Sequence, residues 1–265
     1  MKDFRGKVVV ITGAGSGIGR STALAFAREG AKLHLTDLNP ERIEAVAREC
    51  RALGAEAAVY VVDSSDRAAM EKFAADVFAA AGRVDVLHNN AGIGAAAPFE
   101  DISLEHWEKI IKTNLWGVIH GVHFFLPRMI AQGGGGHIVN TASGGGLIGL
   151  PATGPYCATK FAVVGMSEVM NLELPKYGIW TTALCPGIIN TNIVKDSLFE
   201  IKRPELADRK TEAVRFYDRL GPARTRWPKT CSRRCVGGMR SRSRPGPRCG
   251  RPGCSSVSRF SSTSS

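Results

Sequence analysis

Short apolar runs alternate with longer amphipathic stretches along the first two thirds of the chain. The first run, KVVVIT at residues 7–12, is rich in β-branched residues and does not alternate with polar ones, which is typical of a strand buried on both faces. Similar runs predict strands at residues 32–36, 57–62, 84–88, 136–141 and 180–185, and the stretches between them predict helices that end near residues 29, 53, 81, 131 and 177. Such alternation predicts an α/β fold with one doubly wound parallel sheet and helices on both faces.

Polar or turn-forming residues follow the predicted strands at their carboxyl ends. These residues are Gly13, Asp37, Asp63, Asn90, Ser143 and Pro186. The carboxyl ends of parallel strands share one edge of the sheet, and ligands of such sheets bind there. We therefore expect a binding site at this edge.

The turn after the first strand has the sequence GAGSGIG, residues 13–19, and leads into a helix. Glycines let the backbone approach a pyrophosphate, and the helix N-terminus supplies free N–H groups and the positive end of a dipole. A merely tight turn is the alternative, but the strand before it and the helix after it favour a nucleotide site. The candidate contacts are Gly13, Ser16, Gly17, Ile18 and Gly19.

An acidic residue, Asp37, ends the second predicted strand. Its carboxylate can accept hydrogen bonds from both ribose hydroxyls of an adenosine, and it repels a 2′-phosphate. Since no Arg or Lys lies in the glycine turn or directly after Asp37, NAD is favoured over NADP. A role of Asp37 as a cap for the helix that begins at Pro40 is compatible with this one.

A second candidate site consists of Ser143, Tyr156 and Lys160. On a helix, Tyr156 and Lys160 would lie on one face, one turn apart. An ammonium beside a phenol favours the phenolate and moves the tyrosine pKa from about 10 toward the range useful to a general acid/base. Ser143 could hold a substrate oxygen near the same point. The spacing alone is also compatible with an exposed pair of side chains that has no function.

Together these motifs resemble the short-chain dehydrogenase/reductase family. The matching residues are Thr12-Gly13-x-x-x-Gly17-x-Gly19, Asn89-Asn90-Ala91-Gly92, Asn114, Ser143, Tyr156-x-x-x-Lys160, and Pro186-Gly187 with Thr191, in the family's order and spacing. The resemblance covers about residues 5–220. It implies a single Rossmann-type catalytic domain at residues 1–222, acting as an NAD-dependent alcohol dehydrogenase or carbonyl reductase.

The resemblance also implies a role for each site residue. Tyr156 would exchange a proton with the substrate oxygen as hydride moves to or from the nicotinamide. Lys160 would depress the tyrosine pKa and hold the nicotinamide ribose, Ser143 would orient the substrate, and Asn114 would hold a water in a proton relay. Further cofactor contacts would come from Asp63, Asn90, Gly92, Ile189 and Thr191.

Residues 192–220 are the segment that covers the substrate in this family. Its apolar side chains favour a bulky apolar alcohol or ketone, although simple helix packing explains them equally well: Ile193, Val194, Leu198, Phe199, Val214 and Phe216. The family also implies a homodimer or homotetramer. The unusual composition after residue 222 puts that assembly in question.

The net charge of +11 is concentrated after residue 222. Residues 223–265 hold 11 of the 35 basic residues and no acidic one, so residues 1–222 hold 24 of each sign. The first 222 residues therefore give no electrostatic reason to expect a nucleic acid or another polyanion as partner. Four cysteines lie in the same basic segment, at positions 231, 235, 249 and 254. Their spacings match no common zinc pattern, and no metal is expected.

Three interpretations of residues 223–265 compete: a disordered basic tail that binds nucleic acid or acidic lipid, a cysteine metal site, and a reading-frame error, which we favour. Codons built from the last base of one residue and the first two of the next give Leu, Met or Val at Arg226-Trp227 and Ala at Trp227-Pro228. The shifted reading yields an amphipathic helix and then a small apolar run. These resemble the further helix and the seventh strand that the family would place here. We expect this segment to be disordered and the chain to be less stable than a frame-restored version.

The sequence also bears on where the protein is located and on which other functions are possible. The apolar runs are too short to cross a bilayer, and the first residues lack the layout of a signal peptide, so a cytoplasmic protein is expected. One alternative is a catalytically impaired NAD-binding protein, in which the segment after residue 222 prevents assembly. The other is an NADP-dependent carbonyl or 3-oxoacyl reductase.

Overall fold

The computed structural model describes residues 3–187 and 198–199. Its main strands are β1 (Val8–Thr12), β2 (Lys32–Asp37), β3 (Ala57–Val61), β4 (Val86–Asn89), β6 (Gly136–Thr141) and β7 (Ile179–Leu184). They form one parallel sheet in the order β3-β2-β1-β4-β6-β7. The strand order reverses between β1 and β4, which is where a doubly wound sheet opens a binding crevice. A separate parallel pair joins β5 (Ala95–Ala96) to β8 (Leu198–Phe199).

Six α-helices connect these strands in the described part of the chain. They are α1 (Gly17–Arg28), α2 (Pro40–Ala52), α3 (Arg67–Ala81), α4 (Leu104–Ile111), α5 (Gly117–Ala131) and α6 (Gly154–Glu173). Short 3-10 turns follow at Phe99–Asp101, Gly144–Gly146 and Leu174–Tyr177. The predicted α/β fold with one parallel sheet is confirmed.

Alternate residues of each central strand enter two separate cores. Val9 and Ile11 of β1 pack with Phe26 of α1 and Ile43 of α2 on one face of the sheet. Their neighbours Val8 and Val10 pack with side chains of α3, α5 and α6 on the other face, including Phe73, Phe125 and Met170. Because successive strand residues point to opposite faces, the uniformly apolar sequence of β1 fits a strand covered on both sides.

The long helix predicted to end near residue 131 is interrupted. A π-helical turn, Lys112–Trp116, separates α4 from α5. A π-turn adds one residue to the helical repeat, and such turns are frequent at functional sites. The turn contains Asn114, whose side chain is fully buried.

Several sequence predictions lie outside the described residues. They concern Ile189, Thr191, most of the segment at residues 192–220, and residues 223–265 with their four cysteines. Within the described ranges, no helix combines the length and hydrophobicity needed to span a bilayer. The same ranges contain no cluster of three or more His, Cys, Asp or Glu side chains arranged to hold a metal ion.

Candidate active site

Two glycines hold the loop between β1 and α1 close to other backbone. Gly13 has a φ of +62°, and a Cβ atom on it would lie 2.7 Å from the Cα of Ala91. A Cβ on Gly19 would lie 2.2 Å from the carbonyl oxygen of Gly13. Real Cβ atoms do not approach other atoms this closely, so both positions require glycine. The loop is thereby held against the end of β4.

The first turn of α1 carries no acidic residue and no side-chain cap. Ser16 is its N-cap residue, yet the Ser16 side chain makes no capping hydrogen bond, and no acidic residue of the described chain lies in the first turn. The first N–H groups of a helix carry a partial positive charge and need external acceptors. The arrangement of Ser16, Gly17 and Ile18 suits an anion such as a phosphate.

Asp37 lies beside the glycine loop at the end of β2. One carboxylate oxygen accepts a hydrogen bond from the Gly15 N–H at 2.9 Å, and the other accepts one from the Asn39 N–H at 3.0 Å. The predicted role of Asp37 as a helix cap is wrong. The N-cap of α2 is Asn39, whose side chain accepts a hydrogen bond from the Arg42 N–H at 2.8 Å. Since Pro40 begins the helix, the residue before it occupies the cap position.

Asp63 and Gly92 also lie at this edge of the sheet, and both are exposed. Asp63 follows β3, and one of its carboxylate oxygens accepts a hydrogen bond from the Ser65 N–H at 2.8 Å. Gly92 follows β4, in the loop where the motif residues Asn90 and Ala91 lie.

Asn90 connects the glycine loop to β6. Its Nδ2 donates to the carbonyl oxygens of Thr12 and Gly13, both at 3.1 Å. Its Oδ1 accepts from the Thr141 hydroxyl at 3.3 Å. In return, the Thr12 hydroxyl oxygen accepts from the N–H groups of Asn90 and Ala91 at 2.9 and 3.0 Å.

Lys160 on α6 is buried, with 3% of its surface exposed. Its Nζ donates to the carbonyl oxygen of Thr141 at 2.9 Å and lies 5.7 Å from the ring centroid of Tyr156. Burial lowers the pKa of the Lys160 amine to about 8, against a smaller opposing effect of Cys185. The amine is therefore still mostly protonated at pH 7. Lys160 is therefore not an exposed side chain, which was the alternative left open by the sequence.

Two glycines hold the turn after Ser143 against α6. The Gly145 N–H donates to the Ser143 hydroxyl oxygen at 3.1 Å, and a Cβ on Gly145 would lie 3.4 Å from Cε1 of Tyr156. A Cβ on Gly146 would lie 2.6 Å from the carbonyl oxygen of Lys160. Gly145 and Gly146 thereby let the turn after Ser143 approach α6 at Tyr156 and Lys160.

Asn114 lies in the same cluster as Lys160. Its Oδ1 accepts from the Ile93 N–H and its Nδ2 donates to the Ile93 carbonyl, both at 2.8 Å. Gly92 separates the two side chains, because a Cβ on it would lie 3.1 Å from the Asn114 Oδ1 and 3.5 Å from the Lys160 Nζ. The structure thus brings Ser143, Tyr156, Lys160 and Asn114 to one point of the sheet edge.

Thr141 and His88 belong to the site although no sequence motif predicts a role for either. Thr141 donates to Asn90 with its hydroxyl and accepts from Lys160 with its carbonyl. The His88 Nε2 lies 2.9 Å from the Thr141 hydroxyl. The available signal was a polar residue near the end of an apolar strand, at the edge where ligands bind.

The lowered pKa of Lys160 predicts a pH dependence of stability. The folded chain loses this proton near pH 8, whereas the unfolded chain keeps it up to about pH 10.5. Stability rises with pH wherever the unfolded state binds more protons, so Lys160 contributes a gain of roughly 3 kcal/mol between pH 8 and 10.5. Lys160→Met removes this gain, and urea unfolding of both chains at pH 7 and 10.5 measures it. If the free energies of unfolding of the unmodified chain and of Lys160→Met differed by the same amount at both pH values, the lowered pKa of Lys160 would be contradicted.

A family model described as short chain dehydrogenase matches residues 7–200. The chain belongs to the short-chain dehydrogenase/reductase family. It is 43% identical over 196 residues to "Probable oxidoreductase EphD" of Mycobacterium tuberculosis, a match that covers 74% of this chain and 33% of that protein. It is 40% identical over 201 residues to levodione reductase of Leifsonia aquatica, covering 75% of each chain. The chain thus spans about a third of the length of EphD.

Solved structures show the same fold. A short-chain dehydrogenase/reductase from Burkholderia phymatum, solved in complex with NAD, matches with a TM-score of 0.80 and 33% identity over 90% of this chain and 87% of that one. A metagenomic short-chain oxidoreductase, solved in complex with NADP, matches with a TM-score of 0.66 and 35% identity over 69% of this chain and 83% of that one. The resemblance stated from the motifs is confirmed.

Proposed function

We propose that this chain is an oxidoreductase that transfers a hydride between NAD(H) and an alcohol or carbonyl substrate. The observation that carries the proposal is the buried Lys160 ammonium beside Tyr156, with the Ser143 hydroxyl on the other side of Gly145. Family membership and the similarity to levodione reductase support the same reaction class. Burial and a charged neighbour together mark a site built for proton transfer.

The residues around the glycine loop fit a dinucleotide. A Cβ on Gly13 or Gly19 would collide with the backbone of Ala91 or Gly13 and displace the loop, and the end of α1 would offer its N–H groups to the pyrophosphate. Asp37 would bind the adenosine ribose. The other proposed contacts are Ser16, Gly17, Ile18, Asp63, Asn90, Gly92, Tyr156 and Lys160, with Ile189 and Thr191 beyond the described residues. When bound, the nicotinamide supplies the hydride donor or acceptor.

The chain's own residues would handle the proton. The Ser143 oxygen accepts a hydrogen bond from the Gly145 N–H, so its own proton is available to a substrate oxygen. Tyr156 would give a proton to that oxygen or take one from it. The Lys160 ammonium, fixed by the Thr141 carbonyl, would stabilise negative charge on the Tyr156 oxygen.

Asn114 would support the path by which the proton reaches solvent. Its side chain fixes the backbone of Ile93 and lies beside Gly92 and Lys160. Both of its polar atoms are hydrogen-bonded, as a buried amide requires. A water held here would lie next to the Lys160 amine.

Asp37 should make NAD bind at least tenfold more tightly than NADP, which is about 1.4 kcal/mol. The reason is repulsion between its carboxylate and the 2′-phosphate. Titration of the full chain with each cofactor measures the ratio of the two dissociation constants, and equal constants for NAD and NADP would contradict the prediction. Asp37→Asn keeps one acceptor oxygen and removes the charge, so it should narrow the ratio. Glu56→Gln is the matched control, because Glu56 lies before β3, at the opposite end of the strands.

A catalytically impaired cofactor-binding protein is the second candidate. Among the described strands β7 and β3 are the two edges of the main sheet, and Trp180 of β7 is 40% exposed. An apolar strand with an open edge is prone to pair with other chains. Cofactor titration together with an assay over a panel of alcohols separates the two candidates, since the impaired protein would bind NAD without reducing it.

A further inference from the structure

A hydrogen-bond chain begins at the buried His88 and ends at the glycine loop. His88 lies on β4 and is 1% exposed. Its Nε2 is 2.9 Å from the Thr141 hydroxyl, which in turn is 3.3 Å from the Asn90 Oδ1. The Asn90 Nδ2 reaches the carbonyl oxygens of Thr12 and Gly13 at 3.1 Å. Three side chains from β4, β6 and the loop after β4 thus connect the middle of the sheet with the cofactor cradle.

The direction of every hydrogen bond in this chain is fixed. The Asn90 amide must turn its NH₂ group toward the two carbonyl oxygens, so its Oδ1 accepts the proton of the Thr141 hydroxyl. A hydroxyl has one proton; the Thr141 oxygen therefore accepts from the His88 Nε2–H. Burial lowers the pKa of His88 to about 3, so the ring is neutral and carries its proton on Nε2.

We propose that His88 is a positioning residue for cofactor binding, whose Nε2–H orients the Thr141 hydroxyl and through it the Asn90 amide that holds the glycine loop. The inference rests on the proposed dinucleotide site. Without the His88 donor, the hydroxyl oxygen of the buried Thr141 loses a hydrogen bond that water cannot replace. The Thr141 hydroxyl can then rotate away from Asn90. The Thr141 carbonyl also anchors the Lys160 amine. One threonine thus links the cofactor loop to the catalytic helix.

The sheet contains a second pair of the same geometry. The His137 Nε2 lies 2.8 Å from the Thr182 hydroxyl. His88 is in register with Val139, two residues before Thr141, and His137 is in register with Trp180, two residues before Thr182. His137 lies near the beginning of β6, away from the carboxyl edge. It therefore provides a control for the loss of a buried His–Thr hydrogen bond as such.

Titration of the full-length variants with NADH tests the proposal. His88→Leu has similar size and no donor, and we expect its dissociation constant to rise at least fivefold. His88→Gln places an amide N–H near the position of Nε2 and should remain within twofold of the unmodified chain. His137→Leu should lower the melting temperature and leave the dissociation constant within twofold. Equal weakening by Leu and Gln at position 88, or equal weakening by His137→Leu, would overturn the proposal.

A second comparison tests whether His88 acts through Thr141. Thr141→Val should weaken NADH binding as much as His88→Leu, and adding His88→Leu to it should change the constant less than twofold. If His88→Leu weakened NADH binding as much in the Thr141→Val background as in the unmodified chain, His88 would act independently of Thr141. If His88→Leu does not fold, unchanged NADH binding in Thr141→Val would still overturn the proposal, and His88→Gln tests the His88 donor.

Hydrogen exchange of the cofactor-free chain gives a readout that is independent of binding. The N–H groups of Asn90 and Ala91, which donate to Thr12, should exchange several-fold faster in His88→Leu and at the normal rate in His88→Gln. Unchanged exchange in His88→Leu would contradict the proposal. If the unmodified chain binds no dinucleotide, the proposed function fails, while the exchange result still decides whether His88 positions the loop.

Discussion

Tyr156→Phe is expected to lower kcat at least 100-fold and to leave the dissociation constant for NADH nearly unchanged. The substitution keeps the ring, its contact with Gly145 and its place near the Lys160 amine, and it removes only the hydroxyl. A general acid or base typically contributes about 10²- to 10⁴-fold to the rate. Steady-state assays with an alcohol panel, combined with NADH titration, measure the two quantities separately.

Tyr177→Phe is the matched control for this substitution. The Lys176 Nζ lies 5.1 Å from the Tyr177 ring centroid, so this pair repeats the contact between Lys160 and Tyr156. Tyr177 is 43% exposed and lies after α6, away from the glycine loop. Its variant should keep full activity. If Tyr156→Phe retained more than a tenth of the unmodified kcat, Tyr156 would not be the acid/base.

The sheet could be predicted from the sequence because its strands are buried on both faces. The KVVVIT run, for example, predicted a strand at residues 7–12 that the structure places at Val8–Thr12. Strand ends were less certain, since the strand predicted at residues 84–88 is found at Val86–Asn89. The apolar residue Val84 belongs to the core without belonging to a strand. Burial explains the pattern, whereas backbone pairing sets the ends.

Features that depend on contacts between distant residues were not predicted. The π-turn at Lys112–Trp116 lies inside the stretch predicted as one long helix. The two-residue strands β5 and β8 are too short to show any alternation. The capping role suggested for Asp37 failed because α2 begins at Pro40 and Asn39 occupies the N-cap position. The Asp37 carboxylate also reaches the Gly15 N–H, a partner 22 residues away.

In the candidate site, too, local spacing could be predicted from the sequence, whereas contacts between distant residues could not. The spacing of Tyr156 and Lys160 on one helix was enough to place them together, since four residues make about one turn. The burial of Lys160 was not visible in the sequence, because it depends on distant segments: Gly146 packs against the Lys160 backbone and Gly92 lies beside the amine. Nor did the sequence reveal that Asn90 and Thr141 meet, which requires β4 and β6 to be neighbours.

The second large effect is expected at Gly19, where Gly19→Ala should raise the NADH dissociation constant at least 100-fold. The new Cβ would lie 2.2 Å from the Gly13 carbonyl oxygen and 2.9 Å from the Ala14 Cα. Both are backbone atoms, so the loop itself must move. Since the Gly13 carbonyl also accepts from Asn90, the shift would disrupt the link between the loop and β6. The same overpacking should cost about 1–3 kcal/mol of stability.

Gly165→Ala separates this collision from the general effect of a methyl group in a helix. Gly165 is exposed on α6, and a Cβ there would meet no atom within 4 Å. Alanine in an open helical position should stabilise the chain by about 0.5–1 kcal/mol. Urea unfolding and NADH titration of both variants should therefore give changes of opposite sign in stability, and a loss of binding in Gly19→Ala alone. Unchanged binding in Gly19→Ala would show that the loop can yield without losing its ligand, and that close backbone packing at this glycine is not what forms the cofactor cradle.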